Sequence, residues 1–180
     1  LVGSEMCIRD RQTTSSITAS WKKVAGVSGY RVYLYKGKKL AKCVDTTKRT
    51  LTFKKLSKGT GYKIVVKAYK TIDGKKSLSL VSKELLTATK LSAPTSVKVK
   101  AGKKRAIISW TKDKSANSYT VYYSTKKDSG FKKLTVIKNS ADIQKLTSGK
   151  TYYFKVVANK KVGKTAVASD FSKLVSAKIK

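Results

Sequence analysis

Hydrophobic and polar residues alternate along most of this chain. Ile17, Ala19 and Trp21 are separated by Thr18 and Ser20, and Tyr62, Ile64, Val66 and Ala68 are interleaved with Lys63, Val65, Lys67 and Tyr69. A period of two sustained over this length predicts half-buried antiparallel strands, with the apolar set facing a core. β-Branched and aromatic residues, which fit a pleated surface, dominate these stretches. Turn chemistry separates them: GKK at 37–39, SKG at 57–59, DGKK at 73–76, SG at 129–130 and TSG at 147–149. No segment shows helical spacing.

The pattern occurs twice. SITASWKKVAGVSGYRVYLY (16–35) aligns with RAIISWTKDKSANSYTVYYS (105–124), LSKGTGYKIVVKAY (56–69) with LTSGKTYYFKVVAN (146–159), and SKELLTATK (82–90) with SKLVSAKIK (172–180). The repeat is one domain long rather than a short solenoid period. Seven short strands per unit, with turns of this kind, read as a β-sandwich. The expected class is therefore all-β, as two tandem sandwiches.

Particular residues carry a family resemblance. A Trp ends the second strand (Trp21, Trp110). A Tyr-x-Val third strand follows (Tyr30, Val32; Tyr119, Val121), and then a Leu-x-x-Gly-x-x-Tyr corner before the sixth (Leu56, Gly59, Tyr62; Leu146, Gly149, Tyr152). Each unit resembles a fibronectin type III domain, which implies an immunoglobulin-like sandwich. The resemblance makes Trp21, Tyr30, Leu56, Tyr62, Trp110, Tyr119, Leu146 and Tyr152 the structural core. It also implies that each corner tyrosine buries its ring and bonds its hydroxyl to nearby backbone. The proline that family members often place before the corner glycine is replaced by Lys58 and Ser148. LSAP (91–94), with the only proline, marks the boundary. The expected domains are 12–90 and 91–180, joined by a linker short enough to hold them as a stiff rod. The Lys/Tyr-rich style is similar to tandem modules of secreted and surface proteins of Gram-positive bacteria.

The opening LVGSEMCIRDR has a different character, with no lysine. One back-translation of Leu1–Asp10 is CTC GTG GGC TCG GAG ATG TGT ATA AGA GAC, which resembles the end of a sequencing-library adapter. Residues 1–11 are therefore read as a non-native segment and set aside from the fold. On this reading the gene is cut on its 5′ side and the first domain lacks its strand A. Strand B is then expected to keep an unpaired, aggregation-prone edge unless the foreign residues fill it. Lys180 aligns with Lys90 at the end of the last strand, as expected of a natural C-terminus, and no sorting motif or apolar tail follows.

Candidate chemistry is sparse. With no histidine, Ser-His-Asp, Cys-His and His-metal sites are excluded from the chain. Outside the opening segment the carboxylates are Asp45, Asp73, Glu84, Asp113, Asp128, Asp142 and Asp170, mostly in expected loops, and no two share a strand face as an acid–base pair requires. No phosphate-cradling glycine motif occurs. Cys43, in an expected edge strand, is read as a small apolar filler. No catalysis and no cofactor are expected.

Charge changes the picture. The chain carries 42 Lys and Arg against 9 Asp and Glu, a net +33, and removing residues 1–11 leaves that balance unaltered. Such a field recruits polyanions, and binding should weaken steeply with salt. The lysines are spread over all loops and both sheets, as on a merely basic surface. A sharper candidate is the outward face of the third and sixth strands: Arg31, Tyr33, Tyr35, Lys63, Val65, Lys67 and Tyr69 in the first unit, and Thr120, Tyr122, Tyr153, Lys155 and Val157 in the second. Tyrosines interleaved with cations can stack on sugar rings and hold phosphates. The competing reading is cross-strand pairing, with lysine stems lying over tyrosine rings. The loops TIDGKKS (71–77) and KKVGKTA (160–166) lack the Arg-Gly-Asp tripeptide with which some family members bind integrins.

The expected function is a non-catalytic spacer and adhesion module, extracellular or at a bacterial cell surface, monomeric. Its expected partners are anionic cell-wall polymers or polysaccharide, and other surface proteins. The alternative is an accessory segment of a secreted glycan hydrolase or peptidase whose catalytic domain lies upstream. Specific nucleic-acid recognition is not expected, because no groove-reading helix is present. No run of eighteen apolar residues offers a membrane span.

Overall fold

The computed structural model describes residues 8–79 and 84–180. Most of the opening segment, with Cys7, and the first two residues of the SKELLTATK repeat, Ser82 and Lys83, lie outside the described residues. The chain forms two compact units, the first ending at Lys90 with Lys161–Val167 grouped to it, and the second made of Leu91–Lys160 and Ala168–Lys180. Among the described residues there is no helix, so none is long and apolar enough to cross a membrane.

The first unit comprises β1 (Ile8–Gln12), β2 (Ile17–Trp21), β3 (Gly29–Lys36), β4 (Lys39–Thr46), β5 (Thr50–Phe53), β6 (Gly61–Ile72), β7 (Lys75–Leu78) and β8 (Leu85–Ala88). One sheet runs β1-β2-β5; the other runs β4-β3-β6-β7, with β8 also paired to β6. The second unit repeats this with β9 (Lys98–Gly102), β10 (Arg105–Ser109), β11 (Ser118–Ser124), β12 (Lys132–Val136), β13 (Ser140–Gln144), β14 (Thr151–Val162), β15 (Thr165–Ala168) and β16 (Val175–Lys178). Its sheets are β9-β10-β13 and β12-β11-β14-β15, with β16 on β14.

The cores follow from the alternation. Ile17, Ala19, Trp21, Tyr30, Val32, Leu34, Phe53, Tyr62, Ile64, Val66 and Ala68 fill the first sandwich. Ala106, Ile108, Trp110, Tyr119, Val121, Ile143, Phe154, Val156 and Ala158 are prominent in the second. Each core sets a tryptophan against a tyrosine: Trp21 and Tyr30 at 5.5 Å, Trp110 and Tyr119 at 5.2 Å, both steeply inclined. Those tyrosine hydroxyls accept from the backbone N–H of Val24 (2.9 Å) and Asp113 (2.8 Å), so each ring is buried without orphaning its polar end. Asp73 and Gly74, with φ of 47° and 72°, give the tight hairpin between β6 and β7 its left-handed pair.

At the corners, the Tyr62 hydroxyl accepts from Ser57 N–H (3.2 Å) and the Tyr152 hydroxyl from Thr147 N–H (3.3 Å). Gly59 and Gly149 sit at φ of 57° and 76°, where a side chain would be strained. Leu146 is buried, whereas Leu56 and Tyr152 are half-buried against their cores.

The edge of β2 is filled by residues of the opening segment, the exception allowed for in the sequence reading. Ile8–Gln12 lies antiparallel on β2, from Ile8 opposite Trp21 to Gln12 opposite Ile17. Ile8 packs against the core, and Gln12 Nε2 reaches Thr87 Oγ1 at 3.3 Å. An edge asks its neighbour chiefly for main-chain N–H and C=O groups, and Ile8–Gln12 supplies these with one apolar residue in register. The expected boundary between residues 11 and 12 falls inside this strand.

Candidate functional site

The outward faces of the paired third and sixth strands of each unit hold the residues expected to bind a polymer. In the first unit β3 lies on β6 with Arg31 opposite Lys67, Tyr33 opposite Val65 and Tyr35 opposite Lys63. The face is half-exposed, except that Val65 and Tyr69 are buried. Gly29 lies opposite Tyr69, and a Cβ there would come within 2.6 Å of the Tyr69 hydroxyl. Both are therefore corrections to the open face expected from alternation: an outward position is still covered when its neighbour is small or a long side chain folds over it.

Arg31 and Lys63 of this face are each paired with a carboxylate. Arg31 grips Asp45 with two hydrogen bonds, Nε to Oδ1 at 2.7 Å and Nη2 to Oδ2 at 2.8 Å, and Lys76 Nζ reaches the same Oδ2 at 2.6 Å. Hydrogen bonds from the Arg31 guanidinium, and then from Lys76, hold the Asp45 carboxyl well below the usual carboxylate range, while the Arg31 pKa is raised, chiefly by the same bond. Lys63 pairs with Glu84 at 2.7 Å and lies 5.1 Å from the centre of the Tyr35 ring. Lys76 also stands 4.7 Å from the centre of the Tyr69 ring, and Tyr33 and Tyr35 stack at 6.3 Å. Cys43 is opposite Tyr33 on the edge strand β4, and it is exposed rather than a filler. The pairing puts it on the outer face, where an edge strand has no further neighbour to cover it.

In the second unit the cations of this face lie against rings, with no carboxylate bonded to Lys155 or Lys133 among the ion pairs described. Tyr122 lies opposite Lys155, Ser124 opposite Tyr153, and Thr120 opposite a buried Val157, a third outward position that is covered. The Lys155 ammonium sits between two phenylalanines, 4.1 Å from the Phe131 ring centre and 4.2 Å from that of Phe171. Tyr122 meets Phe171 edge-on at 5.0 Å, and Lys133 stands 5.3 Å from the Tyr122 ring centre. Phe171 is 48% exposed. A ring attracts a cation through its quadrupole and leaves the charge in place, whereas a carboxylate cancels it.

Phe131 and Phe171 were not among the residues singled out from the sequence. Both fall between strands, and only the fold brings them over Lys155. The available signal was a lone aromatic in a polar stretch, in DSGFKK and in SDFSK. Asp45 and Asp142 also stand on strands, β4 and β13, rather than in loops; Asp142 meets Arg105 at 2.7 Å on the other sheet. Among the described residues no three His, Cys, Asp or Glu gather where they could hold a metal ion.

The sequence pattern of the fibronectin type III domain matches residues 5–83 and 92–172. The chain belongs to the fibronectin type III domain family. It is 30% identical over 158 residues, 86% of its length, to fibronectin type III domain-containing protein 7 of Mus musculus, and spans 21% of that protein. Among solved structures, the chicken CNTN1 FN1–FN3 domains share its fold at a TM-score of 0.50 with 19% identity, covering 97% of this chain and 66% of that one. A two-domain fibronectin type III segment of chicken tenascin matches at a TM-score of 0.47 with 20% identity, covering 96% and 95%. Fibronectin type III domains typically serve as extracellular adhesion and spacer modules, which fits a non-catalytic role.

Proposed function

We propose that this tandem is a non-catalytic spacer and adhesion module at a bacterial cell surface, and that the outer face of its second domain holds an anionic wall polymer or polysaccharide. The observation that carries the reading is the Lys155 ammonium between the Phe131 and Phe171 rings, with half of Phe171 open to solvent. An exposed ring offers a plane on which a sugar stacks, and a cation fixed beside it, its charge uncancelled, meets a phosphate or carboxylate. The net charge of +33 supplies the long-range attraction that brings such a polymer near. The bacterial assignment rests on the lysine- and tyrosine-rich style of the sequence. The foreign reading of residues 1–11 rests on their back-translation, and sequencing source DNA across the Gln12 codon tests it.

The test is the affinity of the full chain for purified wall teichoic acid, measured at two salt concentrations. Binding is expected to weaken steeply as salt rises. Phe171→Ala and Lys155→Gln should each weaken it about tenfold, a loss of about 1.4 kcal/mol. Tyr33→Ala with Tyr35→Ala, on the face where Arg31 and Lys63 are paired with carboxylates, should change it less. Wild-type affinity in both second-domain variants would refute the reading.

A further inference from the structure

A cavity of about 380 Å³ opens in the second domain between residues of its two sheets, and Gly130 and Lys132, which flank Phe131 in sequence, form part of its wall. Tyr123 of β11, Lys132 of β12, and Gln144 and Lys145 at the end of β13 line it, with Tyr152 of β14 and Ser124. Its lining is mostly polar, with two lysines, a glutamine and two hydroxyl residues beside two tyrosines, and the buried Leu146 forms part of it. Its rim is held in place. The Ser124 hydroxyl donates to Ser129 C=O (2.7 Å) and accepts from Lys126 N–H (3.0 Å), which pins the loop at 125–131. The Tyr152 hydroxyl is tied to Thr147, whose hydroxyl and backbone N–H, helped by the charge of Lys132, lower its pKa.

The same place in the first domain is lined differently. Leu34 stands where the second domain has Tyr123 and is wholly buried, and the corner Tyr62 is buried where Tyr152 is half-open. Lys42, opposite Leu34 as Lys132 is opposite Tyr123, crosses from β4 to donate to the Lys54 carbonyl at 2.8 Å. One topology thus yields a bridged edge in one domain and a polar cleft in the other.

We infer that this cleft is a binding subsite for a single sugar unit bearing a carboxylate or phosphate, with Lys132 and Lys145 meeting the anion and Tyr123 and Tyr152 flanking the ring. The volume is at the small end of ligand pockets, which suits one unit of a glycan rather than a long segment. The Gln144 amide, which gives one N–H to Asp142, keeps a second N–H and its carbonyl oxygen for ring hydroxyls, and Ser124 keeps one acceptor lone pair. The inference rests on the reading that the chain holds an anionic glycan, and it places a second contact on the same domain as the platform.

The experiment is a titration of the 15N-labelled full chain with glucuronate, with glucose and with sodium phosphate, followed by amide shifts. Glucuronate is expected to move the amides of Thr125, Gln144 and Lys145 in a saturable way with a Kd of about 1 mM. Glucose and phosphate alone should bind at least about tenfold more weakly, since each presents half of the recognised chemistry. Lys132→Gln, at an exposed position, and Tyr123→Leu, the residue of the first domain, should each weaken glucuronate about tenfold. No saturable shift at these amides, or equal shifts with phosphate alone, would overturn the inference, as would wild-type binding by both variants. Teichoic acid binding that depends on Phe171 with no glucuronate shift here would sink the subsite and leave the proposed function standing. Glucuronate binding here with no teichoic acid affinity would do the reverse.

Discussion

The two domains share strand order, core and corner, and part ways on the surface that faces solvent. On the outer sheet of the first, Arg31 and Lys76 share the Asp45 carboxylate, leaving one net positive charge, and Lys63 is matched by Glu84. On that of the second, Lys155 and Lys133 rest on phenylalanine and tyrosine rings. A carboxylate satisfies a cation and ends its reach; a ring positions the cation and leaves its field intact. The same divergence recurs between the sheets, where Lys42 bridges one edge and a cavity opens at the other. A duplicated scaffold thus carries different side-chain partners on its two copies, mostly at solvent-facing positions but also at the buried Leu34, which is Tyr123 in the second copy.

The comparison can be broken at several points. The largest effect is expected from removing residues 1–11, which strips most of β1 from β2 in the first domain while the second keeps its β9. Loss of this pairing and of the Ile8 contact should cost the first domain about 3 kcal/mol and promote association through the bared edge. Calorimetry should show one transition falling and the other unmoved; two unmoved transitions would mean that β1 contributes nothing.

A smaller effect sharpens the comparison at one cross-strand pair. Gly29 lies opposite Tyr69, and the second domain has Ser118 opposite Asn159 in the same register. Gly29→Ser should drive its Cβ into the Tyr69 ring and cost about 2 kcal/mol by overpacking. Adding Tyr69→Asn, which completes the pair of the second domain, should restore most of it in urea unfolding. If the double variant is as unstable as the two single changes summed, the pair is not the unit that matters.

The smallest effect is electrostatic. Asp45 has a folded pKa below its unfolded value near 4, so its contribution is present above that pH and lost as pH falls toward the folded pKa. Asp45→Asn should remove about 1 kcal/mol from the first domain at neutral pH and flatten its acid limb below about pH 4. The second domain should be indifferent. An identical acid limb in the variant would show that solvent already screens the pair.

The strands could be read from the sequence because alternation is local. Whether Val32 or Tyr33 faces the core is decided within a few residues, and both copies of the pattern agree. Tyr62 and Gly59 likewise announce a corner because a left-handed glycine and a bonded tyrosine hydroxyl are demanded at fixed spacing. The interleaved Tyr and Lys positions were also legible, but their pairing was not. Asp45 meets a lysine 31 residues away, and Phe171 reaches Tyr122 from a separate stretch between strands.

By itself, then, the sequence determined two all-β units, their turns and their inward faces, since a period of two has only one way to bury its apolar set in a sandwich. Tertiary structure alone decided that Ile8–Gln12 serves as an edge strand, because main-chain pairing is nearly blind to side chains. It alone decided which cations are cancelled and which stand on rings, because those choices depend on residues that only the folded chain brings within a few ångströms. The cleft of the second domain belongs there too: Tyr123 in place of Leu34 is a small change in the sequence, and it becomes an opening only where two sheets separate.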